Sequence, residues 1–114
     1  MKEFLLVFRA ETRSNPVPPS PEEMQNSMKP WQDWLGSLAA QNKLVSPGNR
    51  LASSGNVVRP GNIITNGPFV ELKEAVGGYT LIKASTLEEA SELAKGCPIL
   101  HFNGSVEVRE IAGM

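Results

Sequence analysis

Lys2-Glu3-Phe4-Leu5-Leu6-Val7-Phe8-Arg9 is the stretch on which the fold turns. In an extended backbone, successive side chains point to opposite faces, so Phe4, Leu6 and Phe8 share one face and Leu5 and Val7 the other. Both faces are apolar. A strand over residues 3–9 is therefore expected inside a sheet that is covered on both sides. Whatever covers those two faces decides the architecture.

Outward from this strand, Asn15-Pro16-Val17-Pro18-Pro19 ends regular structure, because proline has no backbone donor and a fixed φ. Ser20-Pro21-Glu22-Glu23 has the form of a helix start, with Ser20 as cap, Pro21 at the first helical position and Glu23 closing a capping box. Met24, Met28, Trp31, Leu35 and Leu38 then recur every three or four residues, one face of a helix. Trp31 belongs to that stripe and is assigned to the core. Trp34 lies beside it, toward a cleft or a partner. Pro30 predicts a kink or two abutting helices, and Asn42 a left-handed stop.

Turn signals divide residues 44–65 into short extended pieces at 44–45, 50–52, 57–58 and 63–65, a hairpin with irregular edge strands. Asn66-Gly67-Pro68-Phe69 reads as a tight turn, and Gly77-Gly78 as punctuation before a strand from Tyr79 to Ala84. Thr86-Leu87-Glu88-Glu89 is a second capping box. Its helix carries Leu87, Ala90, Leu93, Ala94 and Cys97 on one face, with Gly96 at the stop. Residues 105–111 alternate as a last strand, Val106 and Val108 opposite Glu107 and Arg109.

The order is β-α-β-β-α-β with an extra hairpin, in a single domain over 1–114. The expected fold class is α+β: a ferredoxin-like βαββαβ antiparallel sheet with both helices on one face. The helix-free face also carries apolar residues, and a second copy packed against it would make a homodimer, a dimeric α+β barrel.

Composition narrows function. The chain has 114 residues, 11 Lys+Arg against 12 Asp+Glu, and a net charge of −1, so no basic excess favours nucleic acid. No apolar run approaches the roughly 18 residues of a membrane span. The apolar part of residues 2–9 is short for a signal peptide and lacks a cleavage site, and one cysteine fits a reducing compartment, so a cytoplasmic location is expected. One His and one Cys give no zinc pattern, and no phosphate loop, dinucleotide fingerprint or calcium loop is present. No metal and no cofactor are expected.

Asn66-Gly67-Pro68-Phe69-Val70-Glu71-Leu72-Lys73-Glu74 followed by Gly77-Gly78-Tyr79 resembles the DGPF-x-E-x-KE signature and GGY strand of the DGPF domain within the YCII-related family. Ser20-Pro21-Glu22-Glu23-Met24 is similar to that family's SPEEM helix start. Gly96-Cys97-Pro98 with Gly104-Ser105-Val106-Glu107-Val108-Arg109 is similar to its C-terminal end. The resemblance spans residues 2–111. It implies a dimeric ferredoxin-like α+β barrel and, by analogy with YCII proteins that carry a proposed His–Asp pair, enzymatic activity. Asn66 stands where the family signature has Asp, and an amide is no general base near neutral pH. Glu71 or Glu74 would have to take that role.

Two readings of the 66–74 segment stay open. In one, Gly67-Pro68 simply sets a turn and Glu71, Lys73 and Glu74 are a solvated face. In the other, the segment rims a cleft: Glu71, Glu74 and His101 act as catalytic acids or bases, while Asn66, Gly67, Pro68, Phe69, Lys73 and Tyr79 bind a small-molecule ligand. An imidazole such as that of His101 suits acid–base work, although a loop histidine is commonly only solvated. Arg9 and Arg50 are candidates for an anionic group. Cys97, on an apolar helix face, is expected to be buried and inert. The functional expectation is a small-molecule-binding dimer with acid–base activity. The alternative is a non-catalytic interaction or sensing module associated with transcriptional regulation.

Overall fold

The computed structural model of the chain describes residues 1–10, 21–52, 54–67 and 75–113. The elements are β1 (Lys2–Ala10), α1 (Pro21–Ala40), β2 (Leu44–Ser46), β3 (Gly55–Arg59), β4 (Ile63–Gly67), β5 (Ala75–Ala84), α2 (Leu87–Ala94), a 3-10 helix (Pro98–Phe102) and β6 (Ser105–Glu110). The main sheet has the order β2-β5-β1-β6 with antiparallel pairing throughout. This is an α+β arrangement compatible with the ferredoxin-like fold.

Register explains the two apolar faces of β1. Phe4, Leu6 and Phe8 are buried, whereas Leu5 and Val7 are half-buried. Phe4 pairs with Ile82 and Leu6 with Thr80 on one side of the sheet, and Leu6 faces Val108 and Phe8 faces Val106 across β6. Trp34 and Leu38 from α1 and Ala90 and Ala94 from α2 complete the core on that side. Both helices therefore cover one face. The other face presents Leu5, Val7, Tyr79 and Leu81, all half-buried. It also carries an ion-pair group in which Arg9 donates to Glu107 through Nε and Nη2, at 3.2 and 3.0 Å. Arg109 reaches the second oxygen of Glu107 at 3.4 Å.

The helix ends follow from local chemistry. Asn42 has φ of 57°, and Lys43 N–H donates to Leu38 O at 2.9 Å and Asn42 N–H to Ala39 O at 3.0 Å, closing α1 in a Schellman motif. Thr86 caps α2, its hydroxyl accepting from Glu89 N–H at 3.1 Å. The carboxylate of Glu89 does not return to the cap residue as a full capping box requires; it accepts from Ser85 N–H at 3.3 Å and from Lys43 Nζ at 2.6 Å. The start of α1 at Ser20 and the side chains of Glu23 and Met24 lie outside the described residues.

Several expectations are corrected. α1 continues through Pro30 as one helix, which overturns the alternative of two abutting helices. Asn26, whose carbonyl loses its partner there, and Pro30 are both exposed, so water can take the freed acceptor. Trp31 and Trp34 exchange roles: Trp34 is 7% exposed and central, whereas Trp31 is half-buried. The core-facing stripe is rotated toward 34 and 38, which sequence spacing alone does not distinguish from 31 and 35. Leu87 is exposed although it was placed on the apolar face of α2.

Gly77-Gly78 does not end a segment but lies within β5, where the register slips between Phe8 and Arg9: Phe8 faces Gly78 while Arg9 faces Val76. Gly77 is the extra residue of this bulge. Residues 50–52 do not form a strand; Arg50 makes one isolated bridge to Gly78. Asn66 and Gly67 are the last residues of β4, paired with Asn56 and Gly55; the Pro68-Phe69 half of the expected turn lies outside the described residues. The expected hairpin is present as β3–β4, a separate two-stranded sheet in which both strands are edges.

Candidate functional site

A cleft of about 490 Å³ opens between α1 and the bulged end of the sheet. Such a volume falls in the range of small-molecule sites. Three structural devices form it.

The first is an aromatic wall. Phe8 from β1 and Trp31 and Trp34 from α1 pack edge to face, with Phe8–Trp31 centroids 5.1 Å apart at 71° and the other two pairs at 6.0 Å. Edge-to-face geometry suits the ring quadrupoles and holds the side chains in fixed orientations. Trp34 is locked further: its Nε1–H donates to Leu93 O at 3.0 Å, joining α1 to α2. Phe8 and Trp31 line the cleft, with Met28 and Leu35 beside them and Ile99 of the 3-10 helix.

The second is a backbone strap, residues 47–51, laid across the start of β5. Leu51 N–H donates to Gly77 O at 2.9 Å and Tyr79 N–H to Asn49 O at 3.2 Å. Thr80, buried, donates its hydroxyl to Pro47 O at 3.0 Å, and Gly48 N–H donates to Ser46 Oγ at 3.2 Å. Two glycines permit this contact. Gly48 has φ of 68°, and a Cβ there would overlap the Tyr79 carbonyl. A Cβ on Gly78 would stand 2.9 Å from Asn49 O. The strap contributes Asn49 and Arg50 to the lining of the cleft, together with Gln32 of α1 and Tyr79 of β5.

The third is charge. The described residues lining the cleft include no carboxylate and no imidazole, and Arg50 is their one cation.

Of the candidates read from sequence, Tyr79 and Arg50 line this cleft. Asn66 is exposed at the end of β4 and is not among the lining residues. His101 lies exposed in the last turn of the 3-10 helix, also away from the described lining, although Ile99 two residues earlier contributes to it. Gly67 ends β4. Pro68, Phe69, Glu71, Lys73 and Glu74 lie outside the described residues. Arg9, a candidate for an anionic group, is engaged by Glu107. The strap residues 47–49, with Gln32 and Ile99, were not among the predicted site residues. The signal that points to them is the pairing of two glycine-bearing segments, Pro47-Gly48 and Gly77-Gly78, which only backbones in close contact require.

Cys97 is fully buried, and burial pushes its thiol up to about 11. A thiol so placed is not a nucleophile. Among the described residues, no group of three His, Cys, Asp or Glu side chains is arranged to hold a metal ion. No helix among them is long and apolar enough to cross a membrane.

The fold and cleft together define a class: a small α+β domain with an antiparallel sheet, helices on one face and an apolar cleft beside the first helix. The chain belongs to the YCII-related family, whose domain model matches residues 4–114. Comparison with curated proteins finds no match.

Proposed function

We propose that this YCII-related protein binds a small organic molecule in the cleft between α1 and β5, and that it works as a two-fold dimer whose sheets pack face to face into an α+β barrel. The observation that carries the binding is the cleft itself: a preformed cavity with a rigid aromatic wall and a few convergent polar groups. The observation that favours the dimer is the helix-free face. Leu5, Val7, Tyr79 and Leu81 form an apolar strip beside the Arg9–Glu107–Arg109 group, the composition of a face that meets a partner.

Acid–base chemistry on the bound molecule is the finer part of this proposal and falls to Glu71 and Glu74, since His101 stands away from the described lining. Native mass spectrometry of freshly purified protein tests the first two parts together. A dimer carrying a defined additional mass is the expected result; a monomer at micromolar concentration overturns the barrel. Alanine at Glu71 and Lys73 together should abolish turnover or binding without unfolding the chain, and binding that survives both removes those residues from the site.

A second reading, a protein-interaction module, is favoured by the β3–β4 hairpin. Val58 and Ile64 face each other across it and are 69% and 64% exposed. A two-stranded hairpin is marginal by itself in water, and exposed apolar pairs of this kind are unusual without a partner. Val58→Ser with Ile64→Ser separates the readings: ligand binding is retained if the cleft carries function, and lost partner capture identifies the hairpin.

A further inference from the structure

We infer that the ligand of the cleft is an organic carboxylate with a planar apolar body, its anionic group held by Arg50 and its body lying against Phe8 and Trp31. The inference rests on the cleft being the ligand site and adds the chemical class of the occupant.

Two independent features lead to it. The wall is aromatic and held in place: Phe8 and Trp31 line it edge to face at 71°, and Trp34 packs against both. Aromatic and planar unsaturated bodies gain most from such a wall, by dispersion and by edge or face contact with its rings. Among the described lining residues the charge is one-sided. Arg50 lines the cleft without an acidic neighbour among the described lining residues, whereas the other arginines of the main sheet, Arg9 and Arg109, are both engaged by Glu107. A guanidinium matches a carboxylate bidentately, and beside an apolar wall that pairing is less screened than in open water.

The position of Arg50 is built in. Its backbone bridges Gly78, and the flanking bonds Leu51 N–H to Gly77 O and Tyr79 N–H to Asn49 O hold the strap on both sides of it. Asn49 and Gln32 also line the cleft, and their amides can complete the recognition of oxygen atoms. A cationic ligand would meet Arg50 with like charge and find no carboxylate among the described lining residues.

The test uses three probes with one body: naphthalene-2-carboxylate, naphthalene-2-carboxamide and 2-naphthylmethylammonium. Calorimetry gives affinities, and amide and indole NMR shifts give location. The carboxylate is expected to bind at least about tenfold more tightly than the amide, a difference of about 1.4 kcal/mol, with the ammonium weakest and the Trp31 indole signal moving. Arg50→Gln should abolish the preference for the carboxylate over the amide. Equal binding of all three probes at Trp31, or a carboxylate preference that survives Arg50→Gln, overturns the assignment of class and leaves the cleft as a binding site. If no probe moves Trp31, both the cleft reading and the inference fall. Gly48→Ala gives a separate check: lifting the strap should remove the carboxylate preference in a chain that keeps Arg50.

Discussion

The indole Nε1–H of Trp34 donates to the carbonyl oxygen of Leu93 at 3.0 Å, so one side chain joins the two helices above the sheet. Trp34 is also the centre of the core-to-cleft transition, touching Phe8 and Trp31 by ring edges. A Cβ added to Gly96 would stand 3.0 Å from its ring, so the turn after α2 is shaped around it. Trp34→Phe keeps an aromatic ring but loses the donor and part of the volume. It should cost about 2–3 kcal/mol, read as a lower urea midpoint with an unchanged slope.

Glu89 and Glu107 make stability depend on acid. The hydrogen bond from Lys43, then that from Ser85 N–H, holds the Glu89 carboxyl below the ordinary carboxylate range. Arg9, then Arg109, does the same for Glu107. A lowered folded-state value means that the unfolded chain binds protons first. The contribution is complete above the unfolded value, about 4.3 for Glu, and is lost as pH falls through the folded one. Glu89→Gln should therefore be less stable than the parent at pH 7, and the gap should narrow below about pH 4. Urea titrations at pH 7, 5 and 3 check this; a constant gap would show that the carboxylate charge is not the cause.

Gly48 and Gly61 form a controlled pair. Both have positive φ, 68° and 86°, but a Cβ on Gly61 meets nothing within 4 Å, whereas one on Gly48 overlaps the Tyr79 carbonyl. Gly61→Ala should cost only the backbone penalty, about 1–2 kcal/mol. Gly48→Ala should cost more, because the strap must leave β5. Equal effects in thermal unfolding would mean that the strap yields freely.

Leu81 and Ile82 are neighbours in β5 on opposite faces, half-buried and fully buried respectively. Ile82→Glu places a charge among Phe4, Leu38 and Ala90 and should prevent folding. Leu81→Glu places it on the face assigned to the partner and should yield a folded monomer. Size-exclusion chromatography with light scattering and circular dichroism distinguishes these outcomes; a Leu81→Glu dimer of parental affinity would move the interface elsewhere.

Cys97 should not react with a thiol reagent at pH 7–8 in the native protein and should react fully once urea unfolds it, since burial both blocks access and raises the thiol's value to about 11. The raised value adds stability below the unfolded thiol value of about 8.5, which is lost as pH rises through the folded one.

Much of this molecule is written locally. The double-sided β1, the Asn42 stop, the Thr86 cap, the hairpin turn at Pro60-Gly61-Asn62 and the order of elements depend on neighbours a few residues apart, where period, capping and turn chemistry are sufficient. The family signature is local in the same sense. Tertiary structure alone decided the rest. Trp34 rather than Trp31 faces the core because the rotation of α1 is set by Leu93 and Phe8, distant in sequence. Gly77-Gly78 is a bulge rather than a boundary because Phe8 and Asn49 approach it from two other segments. Arg50 became a cleft-lining cation because the strap bonds to β5, a pairing across almost thirty residues that no spacing along the chain encodes. Sequence period selects elements and faces; the cleft arises where three such elements meet, and its chemistry is fixed by long-range backbone contact.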